Sequence, residues 1–168
     1  MTKLTNFGII TGNTLNTSFG FDEENGECEK LKKMLLNLFS QNKGVYYCDC
    51  QAGLGIYCAE EVLNSKNQLF CVAPYEAQSH KWSVDFRDRY YNLHEKSVDT
   101  KFISKKFFEG CIDECKSYIT EVCDEVFVIA TSKDEMPLCV KNALSSGKKV
   151  TIINCDDLTI QIKKQEDF

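Results

Sequence analysis

No apolar run in this chain comes near the roughly 20 residues that cross a bilayer, and its opening residues, MTKLTNFGII, lack both the length and the cleavage pattern of a signal peptide. A membrane partner is therefore not expected, and a cytoplasmic protein is. Nor does any stretch gather its cations into a basic stripe. The chain has 20 Lys and Arg against 25 Asp and Glu, a formal charge of −5, and acids among the lysines of its helical segments. DNA and RNA are not expected as partners on that ground. Ten cysteines occur but no C-x-x-C does, and the two histidines, His80 and His94, are too far apart on what reads as one helix to converge. Cys48 with Cys50 on a strand face, or Cys111 with Cys115 on a helix face, could each offer a pair of thiols, but neither spacing completes a tetrahedral site. No metal is expected, and without a secretion signal the thiols read as small buried hydrophobes rather than disulfides. There is no internal repeat and no low-complexity segment. Of the two prolines, Pro74 is expected to stop a strand and Pro137 to sit in the first turn of a helix.

What is present is an alternation of short apolar runs and amphipathic stretches in 168 residues, 43% of them hydrophobic, enough for one domain over 1–168 with a core of about 7–154 and a tail, 155–168, that is expected to fray. The stretch 45–62, VYYCDCQAGLGIYCAEEV, organises the rest. It reads as a strand, a glycine turn and a helix start. Gly53 and Gly55 let the backbone take positive φ and approach a ligand, and the N–H groups of Gly53, Leu54, Gly55 and Ile56 are expected to hold an anion such as phosphate. The plainer reading is a tight connection and nothing more.

Strands are expected at 7–11, 45–48, 68–73, 101–104, 125–130 and 150–154, with a short edge strand at 158–162; helices are expected at 27–41, from 56, around 82–93, at 108–122 and near 137–146. Trp82, Phe86, Tyr90 and Leu93 recur at near-helical spacing, which reads first as a packed face, and Asp85 with Arg89 as a surface ion pair. Gly12-Asn13 ends the first strand with residues that tolerate left-handed geometry, and the polar loop 13–26 is long enough to cover a site and be mobile. Strands alternating with helices imply right-handed crossovers, hence an α/β, three-layer fold with a mostly parallel sheet. Ligands of such sheets bind beyond the strands' carboxyl ends, where residues 11–13, 49–55, 74–78 and 131–132 would meet.

Taken in order, IITGN, AGLGIYCAEEVL, VAPYEAQSHKW, RDRYYNL, FVIAT and VKNALSSGKKVTII resemble the YpsA-like branch of the SLOG superfamily, Rossmann-like domains related to DprA and to the LOG phosphoribohydrolases. The resemblance covers most of 7–154. It implies a Rossmann-like fold whose glycine turns hold nucleotides or nucleotide-derived molecules, often as sensors rather than enzymes. It places Gly12, Gly53 and Gly55 on the phosphate side and Pro74, Gln78, Trp82 and Arg89 along a wall of the same cleft. Two departures bear on chemistry. Asn13 stands where members of the family carry His or Arg, and Thr131-Ser132-Lys133-Asp134-Glu135-Met136-Pro137 replaces their glycine-rich loop. The LOG signature P-G-G-x-G-T-x-x-E is absent.

The expected function is binding of a nucleotide-like small molecule, with Gly53–Gly55 reading phosphate, Thr131 and Ser132 reading sugar or base, and Asn13 among the ligand-binding residues. The alternative is an N-glycosidic hydrolase or transferase in which Glu76, Asp134 or Glu135 acts as the catalytic carboxylate. A third is a scaffold that only dimerises, so a homo-oligomer stays open. No cofactor beyond the nucleotide-like ligand is expected.

Overall fold

A computed structural model describes residues 3–165. Seven strands form one sheet, β1 (Thr5–Thr11), β2 (Gly44–Cys48), β3 (Gln68–Tyr75), β4 (Asp99–Ser104), β5 (Glu125–Ala130), β6 (Lys149–Asn154) and β7 (Ile160–Lys163), in the order β4-β3-β2-β1-β5-β6-β7. Every pairing is parallel except that of β7 with β6. The connecting helices are α1 (Gly26–Gln41), α2 (Leu54–Asn64), α3 (Val84–Lys96), α4 (Cys111–Val122) and α5 (Leu138–Ser145), with a short 3-10 turn at Thr14–Asn16. The expected α/β, three-layer, Rossmann-like class is borne out.

The two faces follow from the period of two along each strand. In β5, Phe127 and Ile129 join the core under α1, α2 and α3, while Val126 and Val128 join the core under α4 and α5. In β1, Phe7 and Ile9 face the first core and Ile10 the second. Strands buried on both faces read as continuous apolar runs, which is why 125–130 was legible from end to end.

The structure departs from the sequence expectations at several junctions. β3 runs through Pro74 to Tyr75. Its neighbour β2 ends at Cys48, opposite Cys71, so the missing N–H of Pro74 leaves no ladder bond unmade on that side. Ser83, whose hydroxyl accepts from the Phe86 N–H, caps α3, so Trp82 and His80 precede the helix rather than lying on it. Gly12 and Asn13 are not left-handed; Asn13 has φ −76° and caps the 3-10 turn with its side chain. Pro137 caps α5 rather than entering its first turn. The loop expected to be mobile is tied down: the Ser18 N–H donates to Asp156 Oδ1 at 2.9 Å, and Phe19 is buried in the core. The tail is ordered as far as described, with Gln165 Nε2 donating to the Ser145 carbonyl. The rest of the expected fraying, at 166–168, lies outside the described residues.

Candidate functional site

The chain lays β1 to β4 down in one direction and then returns to place β5 on the other side of β1. The loops after β1 and β5 therefore leave the sheet toward opposite faces and open a crevice between them. A cavity of about 790 Å³ lies there. One flank comes from the first face, with Phe21, Gln51, Ala52 and Trp82; the other comes from α4, with Ile112 and Lys116, and from the segment 131–137. Gly12, Asn13 and Thr14 line its middle, and Asn154, Gln161 and Lys163 line it from β6 and β7.

Asp134 ties the crevice together. Its Oδ1 accepts from the Asn13 N–H at 3.0 Å and from Asn16 Nδ2 at 2.7 Å; its Oδ2 accepts from the Thr131 N–H at 3.0 Å and more weakly from the Thr131 hydroxyl at 3.5 Å. Burial works against the charge, but the N–H groups of Thr131 and Asn13 and the Asn16 amide outweigh it and hold the carboxyl below its usual range. A Cβ on Gly12 would run into this carboxylate, so glycine is needed there for close approach and not for its backbone freedom. An ionised carboxylate with its lone pairs engaged is a poor proton donor.

The glycine turn after β2 is built differently from the expectation. Gly53 has φ 89° and precedes α2, and a Cβ there would strike the Thr14 side chain. The buried Thr14 hydroxyl accepts from the Leu54 N–H at 3.0 Å, while the Ile56 N–H donates to the Gln51 carbonyl at 2.9 Å. Gly55 lies inside the helix, fully buried, with Asp49 Oδ1 at 3.0 Å from where a Cβ would be. Gly53, Leu54 and Gly55 lie behind Thr14 and do not line the cavity, so a phosphate at this helix terminus would first have to displace the Thr14 hydroxyl.

Of the other anticipated residues, Gly12, Asn13, Trp82, Thr131, Ser132, Asp134 and Glu135 come together around the cavity. Pro74, Glu76, Gln78 and Arg89 do not line it. Gln78 Nε2 instead donates to the Asp49 carbonyl at 3.1 Å, bracing the turn after β2, and Glu76 is exposed outside the cavity. Arg89 is held by carboxylates of Glu23, Glu60 and Asp85. The sequence reading missed Phe21, Thr14 and Lys116. Lys116 is half-buried; burial holds the carboxyl of Asp49 above its usual range, and the Gln51 N–H and the Lys116 charge offset only part of that rise. Its spacing along α4 marks it as one more helical lysine, and nothing local in the sequence distinguishes it. Among the described residues no group of three or more His, Cys, Asp or Glu could hold a metal ion, and no helix is long and apolar enough to cross a membrane.

A doubly wound, mostly parallel sheet with a ligand-sized crevice at its switch point defines a Rossmann-like protein. Among solved structures it is similar to DNA processing protein A from Helicobacter pylori, in a structure described for its single-stranded DNA binding mode. The TM-score is 0.64 and the identity 13%, over 90% of this chain and 66% of that one. DNA processing protein A (DprA) from Streptococcus pneumoniae matches with a TM-score of 0.62 and 13% identity, over 89% of this chain and 50% of that one. The chain thus spans between half and two thirds of the length of these structures, and at this identity what it shares with them is the fold. No protein-family model and no curated protein matches the sequence.

The expected DprA-related character is borne out at the level of fold. The exclusion of nucleic acid is not, because the same fold belongs to a protein whose structure is described as binding single-stranded DNA. The expectation rested on net charge and on the want of a basic stripe along the sequence, whereas Lys116 and Lys163, far apart in the sequence, are brought to one cavity by the fold, beside Asp134 and Glu135.

Proposed function

We propose that this chain binds a nucleotide in the crevice between β1 and β5, either as a free molecule or as one unit of a single strand, and that it belongs to the YpsA-like branch and senses or holds its ligand without cleaving it. One observation carries the reading: a single cavity at the switch point combines two aromatic rings, Phe21 and Trp82, with the neutral polar groups of Thr131, Ser132 and Asn154 and the half-buried Lys116. Aromatic faces suit a base, hydroxyls and amides a ribose or base edge, and an ammonium a phosphate. The phosphate is assigned to the Lys116 side, away from the Gly53–Gly55 turn. Of the three candidate carboxylates, Asp134 is engaged by four donors, which weakens it as a base, and Glu76 lies off the cavity; Glu135 lines it, so any base release would have to disappear in Glu135→Ala. The ten free, buried cysteines support a reducing compartment, in keeping with a cytoplasmic protein.

The test is a panel of nucleosides, nucleoside mono- and diphosphates and short single-stranded oligonucleotides, followed by melting temperature and direct titration. A true ligand at a hundred times its Kd stabilises by roughly 2.7 kcal/mol. Lys116→Ala is expected to bring the affinity for a monophosphate down to that of its nucleoside while leaving the nucleoside unchanged. Chromatography of the incubated nucleotides should show them intact. If no member of the panel shifts the melt, or base is released at an enzyme-like rate, the proposal fails.

A further inference from the structure

Arg89 makes one of the densest sets of polar contacts in the protein, and none of them reaches the cavity. Its Nη1 and Nη2 grip both oxygens of Glu23 at 2.8 and 2.7 Å, its Nε and Nη2 grip both oxygens of Glu60 at 3.0 and 2.6 Å, and Nη1 also reaches Asp85 at 3.0 Å. The side chain is 21% exposed, and the guanidinium lies over the Phe86 ring at 5.4 Å. Glu60 is on α2 and Asp85 on α3, so these partners belong to the scaffold. Glu23 does not. It lies in the loop before α1, where Lys32 also holds it at 2.7 Å. A doubled, half-buried guanidinium–carboxylate grip is geometrically specific in a way that an exposed single pair is not.

Between residues 17 and 25 the loop is anchored by the Ser18 N–H on Asp156, by Phe19 buried in the core, and by Glu23 gripped by Arg89. Phe21 stands between the last two, 46% exposed, lining the cavity and meeting Phe86 edge-on at 5.8 Å. The ring that Phe21 offers the cavity is thus held from both sides, through Phe86 beneath the guanidinium and through the backbone two residues on. We propose that Arg89 is a positioning residue: it latches residues 20–24 as a strap across the crevice and so sets Phe21 as the aromatic wall against which a base stacks. This rests on the nucleotide reading of the cavity and adds to it how the base is held. It also reassigns Arg89 from ligand contact to the frame of the contact.

The test uses the full chain with AMP, GMP, CMP and UMP as probes and ribose 5-phosphate as a probe without a base. Phe21→Ala is expected to weaken the best-bound nucleotide about ten- to a hundred-fold, the range of lost base–aromatic stacking. Arg89→Leu, and Glu23→Gln from the strap side, are expected to produce a similar loss. Phe21→Ala combined with Glu23→Gln should lose little more than Phe21→Ala alone, because both remove one wall. Affinity for ribose 5-phosphate should not move. Wild-type affinity in both latch variants, fully multiplicative losses, or an equal fall for ribose 5-phosphate would each overturn the assignment. If none of the probes binds the unaltered protein, the free-nucleotide form of the reading has failed, and the latch is judged by limited proteolysis. Glu23→Gln should then speed cleavage within 17–25 while leaving the rest of the chain resistant, and an unchanged cleavage rate there would refute it.

Discussion

Replacing Asp134 with asparagine separates a structural carboxylate from a catalytic one. In the parent, Oδ1 serves Asn13 and Asn16 and Oδ2 serves Thr131 twice, so both oxygens act as acceptors only. An amide of the same shape keeps one acceptor oxygen and turns an NH2 group toward the other pair of donors. Whichever way it rotates, one backbone N–H is left facing an NH2 group, since the Thr131 hydroxyl or the Asn16 amide can turn to accept but the Thr131 and Asn13 N–H groups cannot. Hydrogen bonds to a charged group contribute about 1.5–3 kcal/mol each, but Asp134 is partly exposed and water can replace some of what is lost, so a net destabilisation of about 2–4 kcal/mol is expected. For a chain of this size that lowers the melting temperature by roughly 5–15 °C. The pH dependence has a definite sign. The carboxyl is depressed below its ordinary 3.8 in the folded state, so its contribution is fully present above that value and is lost as pH falls through the depressed one. Urea unfolding at pH 7 and below pH 4 would show that slope in the parent and a flatter one in Asp134→Asn. A variant that melts within about 1 °C of the parent, or that abolishes a base-release activity the parent possesses, would refute the structural reading.

Two further outcomes follow from the packing around His94 and Gly12. Nε2 of His94 is buried without a partner against Tyr90, and burial lowers the imidazole from 6.5 to about 4. Stability should therefore be full above pH 6.5 and fall as pH drops toward 4, by about 1–3 kcal/mol after allowing for partial exposure, and His94→Phe should flatten urea-unfolding curves compared at pH 7 and 5. Gly12→Ala drives a methyl into the Asp134 carboxylate and should cost about 1–3 kcal/mol by overpacking, read as a lower urea midpoint at unchanged slope; an unchanged midpoint would mean that the two loops can part freely.

The fold was legible where local sequence and burial agree. The run 125–130 is apolar on both faces because both faces are covered, and α1 carries Leu31, Leu35 and Phe39 at the spacing of one buried stripe. Legibility failed where a distant group decides. Pro74 can remain in β3 because β2 has already ended, and α3 starts late because Ser83 caps it. The site shows the same division. Thr131 and Ser132 could be placed from the end of β5, but the Asn13–Asp134 bond spans 121 positions and the Thr14–Leu54 bond spans 40, and no periodicity announces either. Phe21 was hidden in a loop whose polar composition suggested mobility, because the contacts that fix it belong to residues on α2 and α3.

The glycine turn carries the sharper lesson about phosphate. A helix N-terminus attracts an anion only when its donors face open space, and glycine is necessary for close approach without being sufficient for it. Here positive φ at Gly53 brings the backbone against Thr14, and the hydroxyl of Thr14 takes the Leu54 N–H that a phosphate oxygen would have used. The turn is thus closed by the protein's own first loop. The segment after β5 cannot take over the role, since Asp134 has turned the N–H groups of Asn13 and Thr131 inward onto its own carboxylate. With both backbone cradles occupied, positive charge within the cavity has to come from side chains, and Lys116 and Lys163 line it. An ammonium on a flexible stem holds a phosphate without fixing its orientation, and aromatic faces stack on any base, so this crevice should register the presence of a base through Phe21 and Trp82 more strongly than the length of the phosphate chain. Mono- and diphosphates of one nucleoside should bind within about ten-fold of each other while a sugar phosphate without a base falls further behind; the opposite ranking in a titration series would show that a backbone cradle opens after all.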